Sequence, residues 1–544
     1  MKRVITFIGC ALLAWGASAQ SWQDALLYAE NQYGGTARSV GMGNAMTAVG
    51  GDLGALTFNP AGSAVAGYSQ FTITGGLSYS LAVAQGDAST GSGFGDRSGS
   101  NFLRVKMPNL GFVLHFDTGR RHGLKRMSFG FVSNSTADYT LRMKATGLNP
   151  DNSYCGSLAS WSGDYTETQL SGGNWDYPWD SMVGYRSGIF GTVNGQYLGL
   201  TDWFKSNGEP SVLAPLKQEY GYQSKGYKHD MLLNFGMDFS DKFYVGANLG
   251  MVVLSYGEAE YWSEAPANAA EFPDVPFEDN EHARFNSLQM KRLFDANGTG
   301  VYFKAGVLWR PVAGLRLGAA IQTPTLMNFT VRSGYYGKAD VSGVDLRASQ
   351  TPDYDGDFFS FRSPFRVNGG VAYSFGNVVL VSADYEGVHY GHSYFMPRSE
   401  DYPFFRTNIY DEDVNPDIRD VLGWSHLLRV GVEVKPVPYL ALRAGYNFTT
   451  SGQKAFLEWV GNDLRVFSLT PEEKAALNKH AFTLGVGYSS AGSFYADFAL
   501  RYRICPNDYF KPYSYNSDNK ALQCAEVLTH YYMADALLTL GWRF

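Results

Sequence analysis

No stretch of eighteen consecutive apolar residues occurs in the 544-residue chain, which excludes membrane-spanning helices. Charge is sparse, at 17% of residues, and its net value of −7 leaves no basic stripe for a nucleic-acid footprint. Cysteine is limited to four positions. Cys10 lies in the N-terminal apolar stretch, Cys505 and Cys524 flank one polar segment and are candidates for a bridge, and Cys155 is left odd. Catalytic motifs are missing as well. The histidines are scattered, and only His389 and His392 lie close together; three apart on a strand, they face opposite sides and cannot share a metal without an intervening bend. Asp353-x-Asp355-Gly356-Asp357 has its glycine and distal acid misplaced for a calcium loop of the EF-hand type. Gly41-x-Gly43 lacks both the third glycine, where Met46 stands, and the preceding strand of a dinucleotide site. No nucleophile elbow is present, so the chain is read as a non-enzyme with no cofactor and no metal site.

What the chain has in quantity is glycine and aromatic residues: 62 Gly, 36 Tyr and 36 Phe. A membrane β-barrel uses such a composition, because each strand shows one face to lipid and the other to a polar lumen. The N-terminus agrees. Met1-Lys2-Arg3 is a basic start, Val4 to Gly16 an apolar core too short to span a bilayer, and Ala17-Ser18-Ala19 a small-residue cleavage pattern. Residues 1–19 are therefore expected to be a signal peptide, with Gln20 as the first mature residue.

Alternation then recurs along the chain. Phe482, Leu484, Val486 and Tyr488 fall on one face, as do Phe494, Ala496, Phe498, Leu500 and Tyr502, with Asp497, Arg501 and Arg503 on the other. Segments from Met231, Val301, Leu315 and Leu440 repeat the pattern. Tight links at Thr118–Lys125, Ser240–Lys242, Pro311–Gly314, Phe375–Asn377, Lys435–Pro438 and Ser489–Gly492 alternate with polar loops near 86–100, 143–226, 259–296, 332–360, 392–422, 453–478 and 506–524. Short periplasmic turns and long extracellular loops produce this alternation, whereas a soluble sandwich has no reason to show it. The expectation is an all-β, fourteen-stranded antiparallel transmembrane barrel over 66–544 in the outer membrane of a Gram-negative cell, with both termini periplasmic. Its last strand places Ala536, Leu538, Leu540, Trp542 and Phe544 on one face; Trp542 and Phe544 resemble the signal read by the outer-membrane assembly machinery.

Residues 20–65 do not alternate. Trp22 to Asn31 reads as a short helix capped by Ser21, and the small-residue run from Ala37 to Val49 as helical after Gly43, broken at Gly50-Gly51-Asp52. A compact, glycine-rich segment of this kind fits inside a wide barrel as a helical hatch, or plug. The stretch from Ser39-Val40-Gly41-Met42-Gly43 through Asp52 to Asn59-Pro60-Ala61 resembles the N-terminal hatch of the FadL/TodX family of hydrophobic-compound transporters. Arg362-Ser363-Pro364-Phe365-Arg366-Val367, followed by Gly370-Val371-Ala372-Tyr373-Ser374-Phe375-Gly376, resembles a second segment of that family. The resemblance implies passive uptake of long-chain fatty acids or aromatic and apolar compounds, gated around Gly41, Gly43, Asn59, Pro60 and Ala61. Capture by extracellular loops would precede passage to a lumen pocket and sideways exit through the wall. The alternative function is a structural or adaptor barrel in a secretion or assembly complex, with protein partners on the extracellular loops.

Inward-facing Asp238, Lys304, Arg316, Arg443, Asp497, Arg501 and Arg503 allow two readings: a self-neutralising network that pins the plug, or, for Lys304, Arg316, Arg443 and Arg501, a grip on a ligand head group. The aromatics of loop 143–226 (Trp161, Trp175, Tyr177, Trp179, Tyr185, Phe190, Tyr197, Trp203 and Phe204) suit either an apolar landing site or a mutually packed cap. The remaining partners expected are the bilayer with its lipopolysaccharide and, during biogenesis, the assembly machinery. An open apolar cavity in the lumen would favour transport, and a lumen filled solidly would favour the adaptor.

Overall fold

The structure, a computed structural model, describes residues 20–173, 175–206, 208–277, 280–342, 345–352, 356–397, 409–412, 414–460, 463–517 and 522–544. The signal-peptide expectation, and Asp353 and Asp355 of the acidic loop, lie outside these residues. Fourteen antiparallel strands close on themselves. They are β1 (Gln70–Asp87), β2 (Ser98–Asp117), β3 (Leu124–Asp138, resuming as Leu141–Asn149), β4 (Leu216–Phe239), β5 (Phe243–Pro266) and β6 (Asn280–Trp309). Then come β7 (Leu315–Gln322 and Leu326–Ser342), β8 (Asp357–Arg362 and Arg366–Phe375), β9 (Val379–His389 and Tyr394–Pro397), β10 (Trp424–Val437) and β11 (Leu440–Thr449). The last three are β12 (Lys479–Ser489), β13 (Phe494–Ile504 and Asp508–Phe510) and β14 (Glu526–Arg543). Each pairs with its chain neighbour, and β14 pairs with β1 from Gln70↔Arg543 to Asp87↔Glu526. Phe544 and Ser69 extend that seam by exchanging backbone hydrogen bonds, and Trp542 packs against Phe71 and Phe494.

Alternation puts the apolar residues outside. Leu484 and Val486 on β12 and Phe498 and Leu500 on β13 are exposed, while Thr483, Asp497 and Arg501 between them are buried. A closed barrel in a soluble protein would bury the first set. Showing them outward makes sense only against lipid. Near the short turns the exposed residues become aromatic: Phe116, Phe243, Trp309, Phe375, Tyr439, Tyr488 and Trp542 form one interfacial girdle.

The six short links are where the sequence places them, but several loops are shorter than expected. Most of 259–296 is strand, because β5 runs to Pro266 and β6 begins at Asn280, and β7 runs on to Ser342. Beyond the lipid band both strand faces meet polar surroundings, so Lys291, Arg292 and Asp295 interrupt the apolar–polar alternation that marks a strand lower down.

The long loop between β3 and β4 is a folded cap holding three short helices, Tyr154–Trp161, Glu167–Ser171 and Trp179–Arg186, with short hairpins. Its aromatics pack on one another: Tyr185, Phe190 and Tyr197 form a mutual edge-on triad, Trp175 meets Trp179, and Arg186 stacks on Trp175 at 4.1 Å. Of the two readings of this loop, the structure shows the packed cap. The candidate pair Cys505 and Cys524 stand apart: Cys505 pairs beside Tyr531 of β14, whereas Cys524 lies before that strand begins, its Sγ donating to the Tyr513 carbonyl (2.7 Å).

Candidate functional site

Residues 20–66 are almost wholly buried, and their bonds run to inward side chains all around the wall. Ser21 caps helix αA (Trp22–Ala29) reciprocally with Asp24. Tyr28 is clasped by Phe329, Phe359, Phe361 and Phe395, with a stacked ring distance of 4.4 Å to Phe329. The second plug helix, αB, covers Ala37–Gly41 and so precedes Gly43 rather than following it. Gly43 (φ +61°) and Asn44 (φ 58°) occupy the left-handed region and end the helix. A side chain on Gly43 would also run into the Val430 carbonyl, 2.8 Å away.

The Asn59-Pro60-Ala61 motif is seated on the wall. Asn59 Nδ2 donates to the carbonyls of Thr47 (2.8 Å) and Val307 (2.9 Å), while its Oδ1 accepts from the Ala61 N–H (3.1 Å). Gly246 on β5 and Gly306 on β6 form the floor beneath it: a Cβ on Gly246 would sit 2.5 Å from the Ala61 nitrogen, and one on Gly306 would collide with Asn59.

The wall grips the plug by its backbone. Lys304 donates to the Thr57 carbonyl (2.6 Å), Arg316 to Val49 (2.7 Å), Arg501 to Tyr33 (2.6 Å), and Lys228 to Tyr28 and Glu30 (2.9 and 2.7 Å); Arg366 donates to Ala29. The amides of Asn234 and Asn248 do likewise to Pro60 and Leu56. Carboxylates balance part of this charge. Glu433 takes Arg38 of the plug and Arg443, which also meets Asp497; Glu386 takes Arg366, Arg429 and the Tyr33 hydroxyl. Asp535 takes Arg501, Arg503 and Lys106. Lys304, Arg316 and Arg501 thus all reach the plug, while Arg443 reaches it only through Glu433. Lys228, Arg429, Glu386 and Asp535 were not singled out from the sequence, although Lys228 and Asp230 lie on the inward phase of the strand that continues to Asn234, where the alternation could have found them.

The wall itself has a discontinuity. β2 pairs with β3 only from Asp117↔Arg126 to Asn109↔Asn134. Above that, β2 continues on β1 and β3 continues on β4, and among the described residues they next meet at the isolated bridge Asp96↔Thr146. Pro108, with no N–H to donate, stands where pairing stops. β3 is bulged there, between Ser135 and Ala137. The carbonyls that β2 leaves free accept from the plug instead: Gln32 N–H to Thr136 (2.6 Å) and Gly34 N–H to Ser135 (2.8 Å). Arg104 and Lys106 cross the upper gap to Asp138, and Arg104 also bonds Thr140 and the Gly226 carbonyl.

The chain is a membrane-spanning barrel with an occupied lumen.

Inside the barrel, a cavity of about 20 Å³ beside the plug is lined by Tyr28, Asn31, Lys228, Asp230, Tyr302 and Arg366 among others. It adjoins the gap, since Thr136 bonds Asp230. At the end of the barrel away from the short turns, the short helical turn Tyr390–His392 supplies the bend that the histidine pair required, stacking the His389 and His392 rings at 4.3 Å. Among the described residues no three His, Cys, Asp or Glu side chains are placed to hold a metal ion.

Neither a protein family nor a curated relative matches the barrel. Among solved structures it is similar to a Pseudomonas aeruginosa FadL homologue at 14% identity, covering 94% of this chain and 98% of that one, with a TM-score of 0.47. The P. putida toluene transporter TodX is similar at 12% identity, 94% and 99% coverage and a TM-score of 0.45, and the CymD monoaromatic hydrocarbon channel at 11%, 94% and 98%, and 0.43. At such identities and scores, the barrel's architecture rests on its own strand pairing.

Proposed function

We propose that the barrel is a passive uptake channel for hydrophobic small molecules across the outer membrane, with a sideways route through the gap between β2 and β3. The observation that carries this reading is the substitution of plug for strand: Gln32 and Gly34 occupy hydrogen-bonding positions on β3 that β2 has vacated. A wall built only for rigidity would pair there. Moving residues 31–35 would open the lumen to the bilayer without breaking a single strand–strand bond. The cargo is a long-chain fatty acid or an aromatic or apolar compound, taken up with no cofactor or energy source. The cavity beside the gap, with Lys228 and Arg366 at its wall, is the place where a head group would first be received. Short turns face the periplasm and the cap faces outward.

The mutually packed cap favours the second reading, an adaptor barrel in a secretion or assembly complex. One tether separates the two. A Cβ on Gly34 would fall 3.2 Å from that of Ser135, close to disulfide geometry. Gly34→Cys with Ser135→Cys, reconstituted in liposomes, should take up labelled fatty acid or toluene when reduced and cease when oxidised. Equal uptake in both redox states would refute the gap as the route. No uptake in either state, or in the unmodified barrel, together with no co-extracted apolar ligand, would leave the adaptor reading.

A further inference from the structure

A chain with a net charge of −7 would be expected to show acid at both ends, yet one sector of the short-turn rim is basic. Three consecutive turns, β2–β3, β4–β5 and β6–β7, are neighbours because β3 pairs with β4 and β5 with β6. With the strand ends beside them they carry Arg120, Arg121, His122, Lys125, Arg126, Lys242 and Arg310 against three acids, Asp117, Asp238 and Asp241. Asp238 is occupied by Arg126, Asp241 by Lys125 and Arg126, and Asp117 accepts from the Gly119 N–H. Arg120, Arg121, His122 and Lys242 are exposed, and among the described residues none of the four is in an ion pair. The β8–β9 and β12–β13 turns carry no charge, and Lys435 on the β10–β11 turn already has Glu433 at 3.6 Å.

This sector is rigid and level with the membrane surface. The first two turns are stapled together by Gly123 and Ser240, which exchange backbone and hydroxyl bonds, and the third is joined on by Arg310 N–H to the Lys242 carbonyl (2.7 Å). Immediately above lie Phe116, Phe243 and Trp309 of the interfacial girdle. Cations directly past an aromatic belt meet lipid phosphates. We infer that this sector holds the phosphate of an anionic glycerophospholipid of the inner leaflet, with Arg120 and Arg121 as its principal contacts. The inference rests on the short turns facing the periplasm and is independent of what the barrel carries.

The test is native mass spectrometry of the full barrel released from nanodiscs of mixed phosphatidylcholine and phosphatidylglycerol. Phosphatidylglycerol should be retained preferentially, and Arg120→Gln with Arg121→Gln should lower the preference by about fivefold per cation removed. Lys435→Gln, on the far side of the rim, should leave it unchanged. No preference in the unmodified barrel, an undiminished preference in the double variant, or an equal loss in Lys435→Gln would overturn the assignment. The leaflet is read separately. Arg120→Cys should resist an impermeant maleimide in intact cells and react once the outer membrane is permeabilised; labelling of intact cells would overturn the inner-leaflet placement whatever the lipid result.

Discussion

Replacing Asn59 by alanine removes one side chain that ties two plug segments to the wall. Three hydrogen bonds vanish: those to the Thr47 and Val307 carbonyls and that from the Ala61 N–H. The Ala61 nitrogen is buried over Gly246, and Asn59 itself is 1% exposed, so the freed groups gain no bulk water while the plug stays seated. Leaving a buried polar group unpaired costs about 1–3 kcal/mol. Three such groups at about 1 kcal/mol each, the low end of that range, weaken seating by roughly 3 kcal/mol, a shift of about a hundredfold in the ratio of displaced to seated plug. Single-channel recording in a planar bilayer reads this ratio as the frequency of conducting events, and heat-modified gel mobility reads the barrel. Asn59→Ala should open about a hundred times more often with the barrel's melting unchanged. A variant that melts earlier but conducts no more often would refute the reasoning, because Asn59 would then brace the strands rather than hold the plug.

Two further outcomes follow from the cap and the cysteines. Burial pushes Asp202 up to about 6, so its contribution to the cap's stability is fully present below the ordinary carboxylate range and is lost as pH rises through that value. Hydrogen exchange around Ser153 and Thr201, corrected for intrinsic rates, should be slower at pH 5 than at pH 8, and Asp202→Asn should reduce the difference; the opposite pH order would contradict the burial argument. Peptide mapping of the unfolded, non-reduced chain should recover no disulfide joining Cys505 to Cys524, and such a peptide would contradict the placement of Cys505 beside Tyr531.

The barrel was legible where one face of a strand meets lipid, because only there does apolar–polar alternation persist; β12 and β13 are examples. It was illegible in the half of β6 away from the short turns, where Lys291, Arg292 and Asp295 serve a strand that no longer touches lipid. The plug was legible as non-barrel, and Ser21 as its cap, but the position of αB was not: small residues around Gly43 allow a helix on either side, and contact with Val430 and Tyr446 decides it. The paired charges of the lumen were legible by sign and phase, yet their division between wall and plug was not, since Arg443 and Arg501 look alike in sequence and differ only in what lies within reach. The β2–β3 gap had one visible clue, Pro108, which alternation alone does not interpret.

The bonds that Lys304, Arg316, Arg501, Lys228, Asn234 and Asn248 make to the plug end on main-chain oxygens, atoms that every residue supplies. Attachment through them is indifferent to which side chain the plug carries at the gripped position, whereas the glycine floor tolerates almost no added atom. Tolerance to mutation should therefore be distributed unevenly in this molecule: generous at Val49 and Leu56 as far as anchorage is concerned, and nearly nil at Gly246 and Gly306, which the plug never covalently meets.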